Sequence, residues 1–263
     1  MNFQTLCQDV CTLSKQVGLF IKDERGKFSS NSVEIKGKND FVSYVDKTSE
    51  KKLIEKLSVL LPEAGFIAEE GTSTKKGELY NWIIDPLDGT TNFIHGIPCY
   101  SISIGLMRGN ELVLGVIYEI NFDECFYAWE NSKAYLNGKE IHVSTAPTLA
   151  DSLLATGFPY YDYGRMKEYL NLFEFFMKNT HGLRRLGSAA TDLAYVACGR
   201  FEGFYEYGLQ PWDLAAGVFI VQQAGGKVSD FKGEKNYIFG KELVAGNNII
   251  FDEFLKAVQT HFK

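Results

Sequence analysis

The sequence WIIDPLDGTTNF, residues 82–93, places two carboxylates directly after a strand-like apolar run. Because Pro86 lacks an N–H group and disfavours helical backbone at Asp85, the chain is predicted to leave the strand extended and then turn. Gly89 permits a tight turn or the close approach of a ligand, and Thr90 is predicted to begin a helix whose N-terminus attracts anions. The pattern predicts metal-binding carboxylates beside an anion site. An ordinary Asp-Pro turn followed by an Asp-Gly bend is the alternative interpretation.

Two further acidic positions extend this pattern. Glu69, the first residue of the pair Glu69-Glu70, follows the strand-like run 66–68, and Asp213 is predicted to open a helix over residues 213–224. Oxygen ligands that come from separate strand ends and from a helix start suit Mg²⁺, which completes its octahedron with water. Alternatively, Glu69-Glu70 is a solvated surface pair and Asp213 is a helix N-cap.

The composition is that of a soluble globular protein. Of the 263 residues, 45% are hydrophobic and 23% are charged, which allows a substantial core. The net charge is -6 and no Lys/Arg block forms a basic stripe, so we expect no strong nucleic-acid binding. No apolar stretch reaches membrane-spanning length, and no membrane association is expected. The 5 scattered cysteines favour reduced thiols in a cytoplasmic protein.

Hydrophobic periodicity predicts a mixture of helices and strands. An amphipathic helix over about residues 3–20 and a second over 46–61 flank a polar segment, 23–40, predicted as a loop with a short strand. Short strands follow, and Asn137-Gly138 predicts a two-residue hairpin turn. The alternating strands and helices of the second half favour stacked layers in an α+β protein. We predict one domain over residues 1–263, with halves of about 1–145 and about 146–263 as the alternative organisation.

Three segments resemble the signatures of the inositol monophosphatase family, in the family's order and approximate spacing. They are AEEG at 68–71, WIIDPLDGTTNF at 82–93 and PWDLAAG at 211–217. The resemblance continues through FVSYVDKTSE at 41–50 and HGLRRLGSAATDLAYVACGRFEGFYE at 181–206, so it covers nearly the whole chain. It implies a layered α-β-α-β-α sandwich of the inositol monophosphatase and fructose-1,6-bisphosphatase type, and a homodimer.

The same resemblance implies a site for about two or three Mg²⁺ ions and sensitivity to lithium. Glu69, Asp85 and the backbone carbonyl of Leu87 would hold the first ion. Asp85, Asp88 and Asp213 would hold the second ion. Glu69 would also orient waters around a weaker third ion. A metal-activated water would then hydrolyse the phosphate ester, and no Cys or Ser nucleophile is required.

The residues that would act on the phosphate are also implied by the resemblance. Gly89 and Thr90 would donate hydrogen bonds to the phosphate, and Asp46 would position Thr90 and the attacking water. Glu69, Thr90 and Asp46 are therefore the expected catalytic residues.

Substrate selection is expected to depend mainly on the second half of the chain. The implied substrate contacts are Asp88, Gly187, Ser188, Ala189 and Glu206. Ser188 has an alternative interpretation as a helix N-cap, and Arg184 is expected in a charge network near Glu206.

The implied activity is that of a phosphoric monoester hydrolase acting on a small polyol phosphate, foremost myo-inositol 1-phosphate. Related enzymes of the same fold dephosphorylate fructose 1,6-bisphosphate, histidinol phosphate, NADP or 3'-phosphoadenosine 5'-phosphate, and these remain alternatives. A regulatory or RNA-associated binding protein with incidental phosphatase activity is a further alternative. The intact set of carboxylates and the acidic pI of about 5.4 both argue against it.

Overall fold

Helices and sheets alternate in five layers in the computed structural model, which describes residues 1–27, 33–37, 40–158 and 163–262. The helices are α1 Phe3–Lys27, α2 Tyr44–Leu60, α3 Thr90–His95, α4 Met166–Asn179, α5 Ala189–Ala197, α6 Pro211–Gln223 and α7 Phe251–His261. The strands are β1 Val33–Gly37, β2 Asp40–Ser43, β3 Gly65–Ala68, β4 Tyr80–Asp88, β5 Ser101–Arg108, β6 Glu111–Glu119, β7 Glu124–Trp129, β8 Ala134–Leu136, β9 Lys139–Ile141, β10 Leu153–Thr156, β11 Gly182–Arg184, β12 Gly203–Tyr207, β13 Lys227–Ser229 and β14 Glu242–Gly246. The predicted α+β sandwich is confirmed.

The first layer consists of α1 and α2, which cover the outer face of a seven-stranded sheet. The apolar stripe predicted for α1 is buried at Leu6, Val10, Leu13 and Val17. The helix continues to Lys27, so the prediction of a loop from Asp23 is wrong for its first residues. These residues extend the helix on its solvent side, where an ion pair between Lys27 and Glu24 and basic residues in the last turn are favourable. Residues 28–32 and 38–39 of the predicted loop lie outside the described residues.

The seven-stranded sheet has the order β3-β4-β5-β6-β7-β8-β9, and only its first pair is parallel. The predicted hairpin between β8 and β9 is confirmed, since Asn137 and Gly138 have φ angles of 47° and 84°. β4 continues to Asp88 instead of ending at Ile84 as predicted, because β5 accompanies it beyond that point.

The middle layer consists of α5 and α6, which pack between the two sheets. α6 approaches the seven-stranded sheet closely at two glycines. A Cβ atom on Gly105 would lie 2.8 Å from the Cβ of Ala215, and one on Gly115 would lie 2.6 Å from the carbonyl oxygen of Ala216. The absence of a side chain at Gly105 and Gly115 therefore determines how near the N-terminus of α6 comes to β4.

The second sheet has the order β11-β10-β12-β14-β13, and α4 and α7 cover its outer face. Sequence patterns missed β11, a three-residue edge strand too short to show periodicity. None of the helices among the described residues combines the length and the apolar character that crossing a bilayer requires. The five cysteines form no disulfide.

We predict that Gly105→Ala destabilises the protein by about 1–3 kcal/mol, because the new methyl group would collide with α6 and the tight packing gives little room to adjust. Urea unfolding monitored by circular dichroism measures the change. Gly26→Ala is the matched control, since Gly26 is exposed in α1 and a Cβ atom there meets nothing within 4 Å. A Gly105→Ala variant as stable as the control would contradict the close approach of α6.

Candidate active site

A bulge in β4 turns two aspartates toward the same side of the sheet. β4 pairs with β5 in regular register as far as Asp85, which lies opposite Ser103, and the next pair is Asp88 with Ser101. Three steps along β4 thus oppose two steps along β5. Because side chains alternate along a regular strand, Asp85 and Asp88 would otherwise point to opposite faces. Pro86 lies inside this irregularity, where its missing N–H group costs no ladder hydrogen bond.

A third aspartate comes from α6. The helix begins at Pro211 with Gln210 as its N-cap, so Asp213 is its third residue, and the prediction that Asp213 opens or caps the helix is wrong. Proline is favoured at the first helical position, which explains the earlier start. The Oδ2 of Asp213 accepts a hydrogen bond of 2.7 Å from the N–H of Gln210. Ser103 Oγ donates to the carbonyl of Trp212 (3.0 Å), which holds the start of the helix against β5.

Asp85, Asp88 and Asp213 form what we term the aspartate cluster. One carboxylate oxygen from each lies within 4.8 Å of the others. Burial and the charges of Glu69, Asp88 and Asp213 raise the pKa of Asp85, which is 2% exposed. Burial raises the pKa of Asp88 to about 6. Burial and the charge of Asp88 raise the pKa of Asp213 to about 7.

The aspartate cluster fits a hard divalent cation. Its donors are carboxylate oxygens, which Mg²⁺ prefers, and they converge on one point. Burial is the main cause of the raised pKa values of Asp85 and Asp213, and the neighbouring negative charges add to it. A cation would offset those charges. Within the part of the chain that the structure describes, no other group of three acidic, His or Cys side chains has this spacing.

Glu69 lies beside the aspartate cluster because β3 and β4 are parallel neighbours whose carboxyl ends meet at one edge of the sheet. Its N–H donates to the carbonyl of Ile84 on β4 (3.2 Å). Glu50 of α2, which is buried, anchors the turn that follows. Its carboxylate accepts hydrogen bonds from the N–H groups of Glu70 (2.7 Å) and Thr72 (2.8 Å). The backbone at Glu69 and in the turn after it is therefore held by both the sheet and α2.

Thr90 lies at the start of α3, between α2 and the bulge. Its Oγ1 is 2.9 Å from Oδ1 of Asp46 and 3.0 Å from the carbonyl oxygen of Leu87. A hydroxyl has one hydrogen, so Thr90 donates to one of these acceptors at a time. Asp46 is 1% exposed in the first turn of α2. The structure thus brings Asp46 and Thr90 together next to the aspartate cluster.

Gly89 has to be glycine for two reasons. Its φ angle is 98°, which side-chain-bearing residues rarely adopt. A Cβ atom there would lie 3.0 Å from the carbonyl oxygen of Cys99 and 3.2 Å from that of Gly187. The turn at Gly89 is therefore in contact with the second half of the chain.

Ser188 has the capping role that was one of its two interpretations. It is the N-cap of α5, and its Oγ accepts a hydrogen bond of 3.2 Å from the N–H of Thr191. The same Oγ donates to Oδ2 of Asp88 (2.6 Å), and the N–H of Ala190 donates to that oxygen as well (2.7 Å). The turn containing Ser188 and Ala189 therefore borders the aspartate cluster, and the Ser188 side chain is already engaged.

Glu206 lies on β12 and faces the same region. It is 7% exposed, and burial raises its pKa, with Arg185 opposing the rise and the charges of Asp213 and Asp88 adding to it. A Cβ atom on Gly157 would come within 2.1 Å of the Glu206 carboxylate carbon, so this glycine provides the space that the carboxylate occupies.

Arg184 does not belong to this network, and its expected place near Glu206 is wrong. Its side chain is exposed and donates to the carbonyl of Leu183, whereas the charge that acts on Glu206 is that of Arg185. Sequence reasoning also missed Asp192, which is 1% exposed and has its pKa raised by burial and by Glu206. The signal was available, because Asp192 is the one charged residue in the apolar helix α5.

Comparison with known proteins gives concordant results. A sequence model of the Inositol monophosphatase family matches residues 4–262. An inositol-1-monophosphatase of Mesorhizobium japonicum is 39% identical over 245 residues, which are 93% of this chain and 92% of the relative. A putative Nus factor SuhB of Neisseria meningitidis is 40% identical over 249 residues, 94% of this chain and 95% of the relative. The crystal structure of the suppressor protein suhB from Bartonella henselae superimposes with a TM-score of 0.91 at 37% identity, covering 97% of this chain and 98% of that one.

We predict that the metal-free protein loses stability as the pH rises from about 4 to about 7. The pKa of Asp213 is about 7 in the folded protein and near its ordinary value of 3.8 when unfolded, so the unfolded chain ionises first over that interval. Asp213→Asn removes this contribution and retains an acceptor for the Gln210 N–H. At pH 8 and in EDTA, the variant should be more stable than the wild type by about 1–3 kcal/mol.

At pH 4, where both forms are neutral at this position, the advantage should largely disappear. Urea unfolding at several pH values measures both effects, and Asp9→Asn on the exposed face of α1 is the matched control. Parallel pH curves for the wild type and Asp213→Asn would show that Asp213 has no raised pKa.

Proposed function

The chain belongs to the inositol monophosphatase family, and from this premise we propose that it is a cytoplasmic phosphatase that hydrolyses the monophosphate ester of a small polyol, foremost myo-inositol 1-phosphate. The observation that carries the proposal is the aspartate cluster, which adjoins the turn at Gly89 through Asp88 and whose charges act on the buried carboxyl of Glu206. A phosphate held at the turn would have cation-binding oxygens on one side and hydroxyl-binding groups on the other.

We propose that the cation site holds about two or three Mg²⁺ ions. The residues that would hold them are Glu69, Asp85, Asp88, Asp213 and the carbonyl of Leu87. When bound, Mg²⁺ would lower the pKa of a water molecule and offset the charge on the leaving oxygen. Inhibition by lithium is part of the same proposal.

The protein's own groups would orient the reactants. If the Thr90 hydroxyl donates to Asp46, its lone pairs remain available to accept a hydrogen bond from the attacking water. The N–H groups of Gly89 and Thr90, at the start of α3, would bind the phosphate oxygens. Glu69, held from both sides, would fix the position of a second water.

The polyol would be recognised by groups from the second half of the chain. Since the Ser188 side chain is already bonded to Asp88, the backbone of Gly187, Ser188 and Ala189 would provide the contacts on that side. Glu206 would accept hydrogen bonds from hydroxyl groups and could also donate to them, because burial favours its protonated form, which carries a hydrogen.

We further propose that residues 1–263 act as a single domain whose halves, about 1–145 and about 146–263, contribute the metal and phosphate groups and the substrate groups. The aspartate cluster supports this organisation, because Asp85 and Asp88 come from the first half and Asp213 from the second. Neither half alone would hold the cation. By family membership, the protein would be a homodimer.

A regulatory role is the second candidate, and the name of the Neisseria meningitidis relative, a putative Nus factor, is the observation that favours it. The complete aspartate cluster and the net charge of -6 favour catalysis as the main function.

We predict that the purified protein releases phosphate from myo-inositol 1-phosphate in the presence of Mg²⁺ and is inactive in excess EDTA. Asp213→Asn should reduce kcat/KM on the order of a hundredfold at ordinary Mg²⁺, since losing one anionic ligand costs several kcal/mol of transition-state stabilisation. Phosphate release is measured for inositol, fructose, histidinol, NADP and adenosine phosphates across a Mg²⁺ titration. Full turnover in EDTA would reject the cation mechanism, and a preference for another ester would change the assigned substrate.

We predict that Glu206→Gln changes the order of preference among polyol phosphates, with relative kcat/KM values shifting at least about fivefold, because a change near 1 kcal/mol in one hydrogen bond has that effect. Hydrolysis of p-nitrophenyl phosphate, which offers no hydroxyl groups, should change less. Glu202→Gln is the matched control, since Glu202 is a similarly buried glutamate that precedes β12 and bonds the N–H of Leu153. An equal loss on every ester would make Glu206 a structural residue.

A further inference from the structure

The side chain of Asn92 joins two segments that are far apart in the sequence. Its Nδ2 donates to the carbonyl of Cys99 (2.7 Å), which follows α3, and to the carbonyl of Leu186 (2.8 Å), which precedes the turn at Gly187. An asparagine amide nitrogen has two hydrogens, so both are used. One partly buried side chain on α3 thus fixes the separation between these segments.

One of these two segments has a backbone conformation that needs support. Cys99 has a φ angle of 101°, which for a residue with a side chain costs about 1–3 kcal/mol. Gly187 has a φ angle of 95°, which glycine adopts without strain. The carbonyl oxygens of Cys99 and Gly187 also lie against Gly89, within 3.2 Å of where its Cβ would be. Relaxation of either segment would therefore move the turn at Gly89 relative to the turn at Gly187.

We propose that Asn92 is a positioning residue that sets the distance between the phosphate turn, Gly89-Thr90, and the substrate turn, Gly187–Ala189, and thereby determines selectivity for a polyol leaving group. This inference rests on the proposed function. Asn92 acts through the backbone and needs no contact with the substrate. An ester held at both turns is sensitive to a displacement of about 1 Å, whereas an ester held by its phosphate alone is much less so.

The test compares two esters in two variants. Asn92→Asp has the same shape but replaces the donor by an oxygen that faces two carbonyls, and Asn92→Ala removes the group. For both variants, kcat/KM for myo-inositol 1-phosphate should fall at least about tenfold more than kcat/KM for p-nitrophenyl phosphate. Most of the extra loss should be a higher KM, because the polyol end loses its alignment.

The matched control is Asn81→Asp on β4, where the amide exchanges hydrogen bonds of 3.0 Å with Gly77. This variant also loses a partly buried donor, so its melting temperature should fall, but the ratio of the two activities should stay that of the wild type. Equal losses on both esters in the Asn92 variants, or an equal shift in the ratio for Asn81→Asp, would overturn the inference. If the wild type released phosphate from neither ester, the proposed function itself would be wrong, and the inference with it.

Discussion

The confinement of three carboxylates to one point is the constraint on which the rest of the structure depends. Like charges within 4.8 Å of one another destabilise a folded chain unless protons or cations compensate them. In the folded chain this destabilisation is present at Asp85, Asp88 and Asp213, and several elements of the fold fix the positions of these carboxylates. The β4 bulge, the first turn of α6 and the N-terminus of α5 each contribute at least one restraint.

Neutral hydrogen-bond donors do most of this holding. Asp88 receives the Ser188 hydroxyl and the Ala190 N–H, and Asp213 receives the Gln210 N–H. Backbone N–H groups and a hydroxyl can orient a carboxylate without cancelling its charge. The oxygens therefore stay attractive to a cation, whereas a lysine or arginine bonded directly to each would compete with it. At Glu50 the roles are reversed: here the buried carboxylate holds the backbone in place, by accepting hydrogen bonds from two N–H groups of the neighbouring turn.

Local patterns predicted the layered fold, the long helices and the hairpin at Asn137-Gly138, because periodicity and turn chemistry depend on nearby residues. Strand-end and helix-start patterns suggested the carboxylates of the aspartate cluster, but they left the N-cap interpretation of Asp213 open, and only the family resemblance grouped Asp213 with Asp85 and Asp88. The approach of Asp213 to Asp85 depends on the packing of α6 against Gly105 and Gly115, which no local pattern contains. The start of α6 was misplaced because Asp213 is a good N-cap in isolation. The sequence could not show which of the two arginines, Arg184 or Arg185, acts on Glu206. The answer depends on where β11 ends, and two identical neighbouring residues give no sign of that position.

The bulge in β4 has a consequence for how this segment can vary. Along a strand, direction depends on whether the number of residues between two positions is odd or even, and the extra residue between Asp85 and Asp88 changes that parity. A substitution at Leu87 leaves the count intact, and the two aspartates still share a face. Deleting a single residue would give two steps on each strand, so both carboxylates would still lie on one face; what would change is the irregular backbone between them, from which the Leu87 carbonyl lies 3.0 Å from Thr90 Oγ1. The bulge thus accommodates an extra residue without separating the two aspartates, and its effect is on the backbone groups that lie between them.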